Sequence, residues 1–158
     1  MYLKTVDGKL IWKTPVAGDK PWVNGSCVVG DFNNDGRVEI VYGACSAVMC
    51  LDGETGKVLW IYDDRVSICH GRLAAGDVNG DGQLKIIFGT EYSDDFEKCL
   101  SSMIILDGEG NVLSRRENIL GDLGSTAIRL ADVNNDGIPE IIAASQNLCW
   151  NESLGIGA

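Results

Sequence analysis

One loop pattern occurs three times in this chain. It reads Asp31, Asn33, Asp35, Gly36, Glu39; then Asp77, Asn79, Asp81, Gly82, Lys85; then Asp132, Asn134, Asp136, Gly137, Glu140. Three copies at long spacing call for the same small unit built repeatedly and stacked against itself, because a single unit cannot bury its own apolar face. The pattern also points to a ligand. Oxygen side chains at loop positions 1, 3 and 5 point into one concave turn, and the glycine at position 6 permits the reversal. Position 7 offers a backbone carbonyl, from Arg37, Gln83 and Ile138. An acid at position 9 completes the shell in the first and third copies. Oxygen donors in a flexible loop suit Ca²⁺ better than Mg²⁺, which demands a strict octahedron and keeps its waters.

The second copy departs from the others. Lys85 stands at the closing position, where it removes an anionic ligand and adds a positive charge. That loop is expected to bind calcium weakly or not at all. Its ammonium group is expected to reach Asp77 and Asp81 and replace the metal. The plain alternative for every copy is an ordinary turn rich in Asp, Asn and Gly. An EF-hand is excluded, since it needs a bidentate Glu at position 12 and helical flanks. Position 12 is Tyr42, Phe88 and Ala143, and the flanks Val28-Val29, Glu39–Tyr42, Lys85–Phe88 and Glu140–Ile142 are β-rich. The loops therefore join strands.

The segments between the loops repeat as well: Val6–Trp12, Leu51–Trp60 and Leu106–Leu113. With Asp-x-Asn-x-Asp-Gly-x-x-Glu between short apolar strands, the chain resembles the FG-GAP/VCBS repeat, which includes the calcium loops of integrin α-subunit propellers. The Asp-Gly turn followed by a strand ending in Trp is similar to the outer hairpin of quinoprotein-type propeller repeats. The resemblance implies an all-β fold, a β-propeller of four-stranded antiparallel blades with structural Ca²⁺, and it favours an extracellular or cell-surface setting. It does not by itself imply adhesion or catalysis.

Spacing sets the phase. Aligned on Asp7, Asp52 and Asp107, the hairpins precede the loops by 24, 25 and 25 residues. The return intervals are 21 and 30 residues, so the second carries a nine-residue insertion, placed in Glu91–Lys98. Each unit reads as four strands: Ser26–Gly30, Glu39–Gly43, Ala47–Leu51 and Lys57–Ile61 in the first. The full blades cover about 24–63 and 70–117. The ends are half blades, 1–14 (Tyr2–Val6, Leu10–Lys13) and 124–150 (Thr126–Ala131, Glu140–Ala144), which complement one another. The chain is thus one domain, 1–158, holding three blade equivalents. Propellers take about four to eight blades, and an open arc exposes sheet edges. The expected solution is a homodimer, two chains closing a six-bladed ring in which each completes the other's split blade. A piece of a longer propeller and a larger ring are the alternatives.

Composition bounds the partners. The net charge is −10, which argues against nucleic acid. No apolar run reaches the roughly 20 residues of a membrane span, and the chain shows no signal peptide. Cys27, aligned with Leu73 and Ile128, and Cys50, aligned with Ile105, read as small buried hydrophobes. Cys45, Cys69, Cys99 and Cys149 fit no zinc spacing. His70 beside Cys69 lacks an orienting group, and Asp63-Asp64 and Asp94-Asp95 read as solvated turns. No catalytic set is expected. Trp12 and Trp60 end equivalent strands and are expected to pack between blades, with Ser114 in the third copy. The function read here is a calcium-binding scaffold for a protein or glycan ligand. A lectin using Trp22, Trp150 and the Glu91–Lys98 loop is the alternative, and a fragment of a propeller polysaccharide lyase is a third reading. Asn24 and Asn151 head glycosylation-type triplets.

Overall fold

The computed structural model describes residues 1–15, 26–44, 47–63, 72–90, 100–121, 123 and 127–144. Trp22, Asn24, Cys45, Asp64, Cys69, His70, the Glu91–Lys98 insertion, Cys99, Cys149, Trp150 and Asn151 lie outside them. The described residues contain twelve strands and no helix, so none is long and apolar enough to cross a membrane.

The strands are β1 (Tyr2–Lys4), β2 (Leu10–Lys13), β3 (Cys27–Gly30), β4 (Glu39–Ala44), β5 (Ala47–Asp52) and β6 (Val58–Tyr62). They continue with β7 (Ala74–Gly76), β8 (Lys85–Gly89), β9 (Leu100–Leu106), β10 (Val112–Leu120), β11 (Ile128–Ala131) and β12 (Glu140–Ala143). They form a first four-stranded sheet, β3-β4-β5-β6, and a second, β7-β8-β9-β10, each antiparallel between sequence neighbours. β1-β2 and β11-β12 are separate two-stranded sheets. The expected strand spans are reproduced to within a few residues. The middle strands β4 and β8 are buried along their whole length, as a continuous apolar run with neighbours on both faces should be. The outer strand β6 alternates between half-buried and exposed positions, the period of two of a strand with one covered face.

The core lies between sheets. Val41, Val48 and Cys50 of the first sheet meet Leu73, Ile86, Phe88, Ile104 and Leu106 of the second, with Phe32 among them. The N-terminal hairpin packs Trp12, Leu3 and Met1 onto Ile40, Tyr42, Met49 and Leu51. The C-terminal hairpin packs Ile128, Leu130 and Ile141 onto Ile87, Met103 and Ile105. The spatial order is therefore hairpin, sheet, sheet, hairpin, and the two hairpins cover opposite ends.

A tryptophan ties the N-terminal hairpin to the first sheet and the first sheet to the second. Trp12 Nε1 donates to the Gly53 carbonyl at 3.0 Å, and Trp60 Nε1 donates to the Gly108 carbonyl at 2.8 Å. Their rings lie where a side chain at Gly56 or Gly110 would stand, 2.5 and 2.8 Å from the nearest ring atom. Both tryptophans thus pack between units, as expected from sequence, and glycine at those turns follows from close approach.

Two expectations need correction. The first hairpin turn is not built on Asp7. Thr5 occupies the place of Asp107: the Thr5 and Asp107 N–H groups donate to the Lys9 and Asn111 carbonyls, and Gly8 and Gly110 N–H donate back. Thr5 Oγ1 accepts from the Lys9 N–H as Asp107 Oδ1 does from Asn111. The register is therefore two residues earlier, and β1 stops at Lys4, short of Val6. Cys27 is exposed, whereas Cys50 is buried as expected. Leu73 and Ile128, the counterparts of Cys27, are covered by a preceding sheet. The inner half of the first sheet has nothing of the described chain in that place.

Candidate metal centres

Each loop leaves one strand of an antiparallel pair and returns on the next: β3 to β4, β7 to β8, β11 to β12. The turn is organised by its first carboxylate. Asp31 Oδ1 accepts from the Asp35 N–H (3.1 Å) and Oδ2 from the Gly36 N–H (2.9 Å). Asp132 does the same with Asp136 and Gly137 at 3.1 and 2.9 Å. Asp77 accepts from Gly80, Asp81 and Gly82 at 2.8, 3.2 and 2.8 Å. These donors hold the Asp77 carboxyl below the usual carboxylate range, the Gly82 N–H contributing most. The position-5 acids accept from position 7: Asp35 from Arg37, Asp81 from Gln83, Asp136 from Ile138. The Arg37 N–H is the main reason that Asp35 is also lowered.

The glycines at position 6 and the residues at position 4 have positive φ. Position 4 is Asn34 (58°), Gly80 (74°) and Asn135 (61°). Asn and Gly are the residues that reach this left-handed region most readily. Position 4 was missed as a loop determinant in the sequence, although its Asn, Gly, Asn identity carries the signal.

At position 9 the loops diverge. In the first, Glu39 is only 3% exposed and its Oε2 accepts from the Phe32 N–H at 2.8 Å. One oxygen from each of Asp31, Asp35 and Glu39 falls within 4.8 Å of the others. Among the described residues this is the one group of three or more His, Cys, Asp or Glu side chains so gathered. Three carboxylates, of which Glu39 alone is buried, gather negative charge that a cation would neutralise. The all-oxygen donor set fits a hard cation. The exposed Arg37 guanidinium pairs with Asp35 at 3.3 Å; such a pair is weak and easily displaced.

In the second loop the buried group at position 9 is a cation. Lys85 is 3% exposed, and its Nζ donates to both Asp81 oxygens at 2.7 Å and to the Gln83 carbonyl at 3.2 Å. Those are the position-5 and position-7 donors, so the ammonium group sits among the atoms expected to hold an ion. It does so through Asp81 and Gln83; the oxygens of Asp77, the other expected partner, are held by backbone N–H groups. The Lys85 hydrogen bond is the chief reason that the Asp81 carboxyl falls to about 2.

The third loop keeps the acids of the first with a different closure. Glu140 Oε2 accepts from the Val133 N–H at 2.9 Å. Asn134 Nδ2 donates to both Asp136 Oδ2 (3.0 Å) and Glu140 Oε1 (2.7 Å), so an amide lies between the two carboxylates. The loop is exposed from Asp132 to Ile138, whereas Phe32 in the first loop is buried. Asn33, Asn79 and Asn134 each bond the position-5 acid.

Comparison with curated proteins and with solved structures gives no match. The model of the FG-GAP-like repeat matches residues 77–143, from the first acid of the second loop to the end of β12. The chain therefore carries an FG-GAP-like repeat, consistent with the FG-GAP/VCBS-like repeat family.

Proposed function

We propose that this chain is a calcium-stabilised β-propeller interaction module, its four-stranded sheets serving as blades, and that two chains close a six-bladed ring. The observation that carries the metal reading is the convergence of Asp31, Asp35 and Glu39 in a loop whose pattern recurs. Calcium is held by Asp31, Asn33, Asp35, the Arg37 carbonyl and Glu39 in the first loop. In the third it is held by Asp132, Asn134, Asp136, the Ile138 carbonyl and Glu140. Backbone N–H groups orient the first carboxylate of each loop before the ion arrives. The ion supplies charge balance and fixes two neighbouring strands in register. Lys85 does the same work in the second loop without a metal. The ligand of the module is a protein or glycan. The indole N–H groups of Trp12 and Trp60 are spent on turn carbonyls, and that disfavours a lectin platform built on those two.

Because an ion that binds only the folded chain stabilises it, calcium at 100 times its Kd adds about 2.7 kcal/mol per site. Thermal melts with and without chelator test this. The proposal expects Asp31→Ala and Asp132→Ala each to remove about half of the calcium-dependent rise in Tm, and Asp77→Ala to leave it in place. Equal effects from all three substitutions would remove the distinction drawn for the second loop.

A further inference from the structure

We infer that the groove beside the N-terminal hairpin is the seat for the C-terminal hairpin of a second copy of this chain, in a register that the two complete sheets define. The inference rests on the ring reading and adds its contact surface. Two seams are already made within one chain. At the first, the Leu84 side chain lies against Gly30, where a Cβ would be 2.6 Å from Leu84 Cδ1, and the buried Phe32 sets its carbonyl against Gly108. At the second, Leu130 fills the place of a Cβ on Gly76, at 2.5 Å.

The positions that would make the next seam are exposed at both ends. On the C-terminal hairpin these are Ala131, Val133 and Ile142, the counterparts of Gly30, Phe32 and Val41. At the other end is a groove of about 350 Å³ on the first sheet, with Val29, Val38, Ile40 and Gly53 in its walls. Val38 is the counterpart of Leu84, and Gly53 that of Gly108. Val29 and Val38 are 60% and 50% exposed, and Val133 and Ile142 are 64% and 47%. The groove adjoins the surface that the N-terminal hairpin already covers through Trp12 and Gly53.

Two observations select a second copy as the occupant. First, side-chain volume is exchanged across the seam. Gly30 faces Leu84 within the chain; Ala131 would face Val38, one carbon added on one side and one removed from the other. Second, the strand edges match. The first sheet pairs Glu39 with Asp52 and Val41 with Cys50, and the second pairs Ile87 with Ile105. With Thr5 in the place of Asp52, β12 would pair with β1 of the second copy: Ile141 with Lys4, Ile142 with Leu3, Ala143 with Tyr2. That register spans both strands, and each has a single neighbour among the described residues. Leu3 already packs on the first sheet, so Ile142 beside it falls on the same face, over the groove. The outer corner of this seam is the Trp12–Gly53 tie already made within the chain. The corner between the second sheet and the N-terminal hairpin of the second copy has Ser114 in place of Trp60 and Val6 in place of Gly108, so that one lacks the tryptophan tie. The inner strands and the β12–β1 hydrogen bonds hold the seam.

Sedimentation equilibrium of the full chain and its variants tests the seam, with native mass spectrometry counting ions. The wild type should dimerise. Val38→Leu should clash with Ala131 at both seams and weaken the dimer about 30-fold, from about 1 kcal/mol of overpacking at each. Adding Ala131→Gly recreates the Gly30–Leu84 pair and should restore the wild-type Kd. Both positions are exposed in the single chain, so folding is not at stake. A wild type that stays monomeric at 100 times ordinary assay concentrations, about 100 μM, overturns the inference. So does a dimer whose Kd ignores Val38→Leu. A calcium-loaded monomer would sink the seam and spare the metal reading, and a calcium-free dimer would do the reverse.

Discussion

Gly110→Ala and Gly8→Ala form a matched pair that isolates the tryptophan tie. Both glycines sit in the same turn with φ of +86°, and each N–H bonds the carbonyl three residues back, of Asp107 and of Thr5. Alanine there costs about 1–2 kcal/mol for the left-handed backbone alone. At Gly8 no described residue lies within 4 Å of the new methyl, so that cost is the whole effect. At Gly110 the methyl would lie 2.8 Å from Trp60 Cδ2 and 2.9 Å from Cε3. The ring must move, which costs about 1–3 kcal/mol, and the 2.8 Å indole hydrogen bond to Gly108 is strained or lost, about 1 kcal/mol more. Gly110→Ala should therefore cost about 2–4 kcal/mol beyond Gly8→Ala. Urea unfolding followed by far-ultraviolet circular dichroism measures both, independently of Trp60 emission. Equal costs for the two variants would refute the packing argument.

Other outcomes follow from the loops and the core. Lys85→Glu restores an acid at position 9, and isothermal titration should then find one more calcium per chain than in the wild type. The Asp81 carboxyl, lowered to about 2, favours the folded state above the ordinary value of 3.8, and that contribution is lost as pH falls through about 2. The Asp81 titration followed by NMR should thus have its midpoint near 2, moving up in Lys85→Met. Burial, with the Glu39 charge adding to it, pushes the Cys50 thiol up to about 12. At pH 8 a thiol reagent should modify the exposed Cys27 and leave Cys50 untouched until the chain unfolds.

The loops and the strands flanking them were legible because their signals are local. Alternation and apolar runs fix β4, β5 and β8, and the Asp-x-Asn-x-Asp-Gly series fixes the turns between strands. The first hairpin was misaligned because Asp7-Gly8 mimics Asp52-Gly53, whereas Thr5 supplies the hydrogen-bond acceptor; a hydroxyl can replace a carboxylate there, and composition hides it. Cys27 was misjudged because burial depends on a neighbouring sheet, and its place in the strand does not reveal that the inner half of that face is open. The role of Lys85 was partly legible. Its charge announced a metal substitute, but its reach to Gln83 depends on rotamer and burial. That an Asn134 amide parts Asp136 from Glu140 could not be read from a pattern the first loop shares.

The central claim is that two of the three loops hold calcium and the third holds a lysine in its place. A native mass spectrum from a calcium-containing volatile buffer tests it most directly, since it counts chains and ions together. The account predicts two calcium ions per chain, falling to one in Asp31→Ala and in Asp132→Ala and staying at two in Asp77→Ala. A chain that carries no calcium, or one that loses an ion with Asp77→Ala, would contradict it.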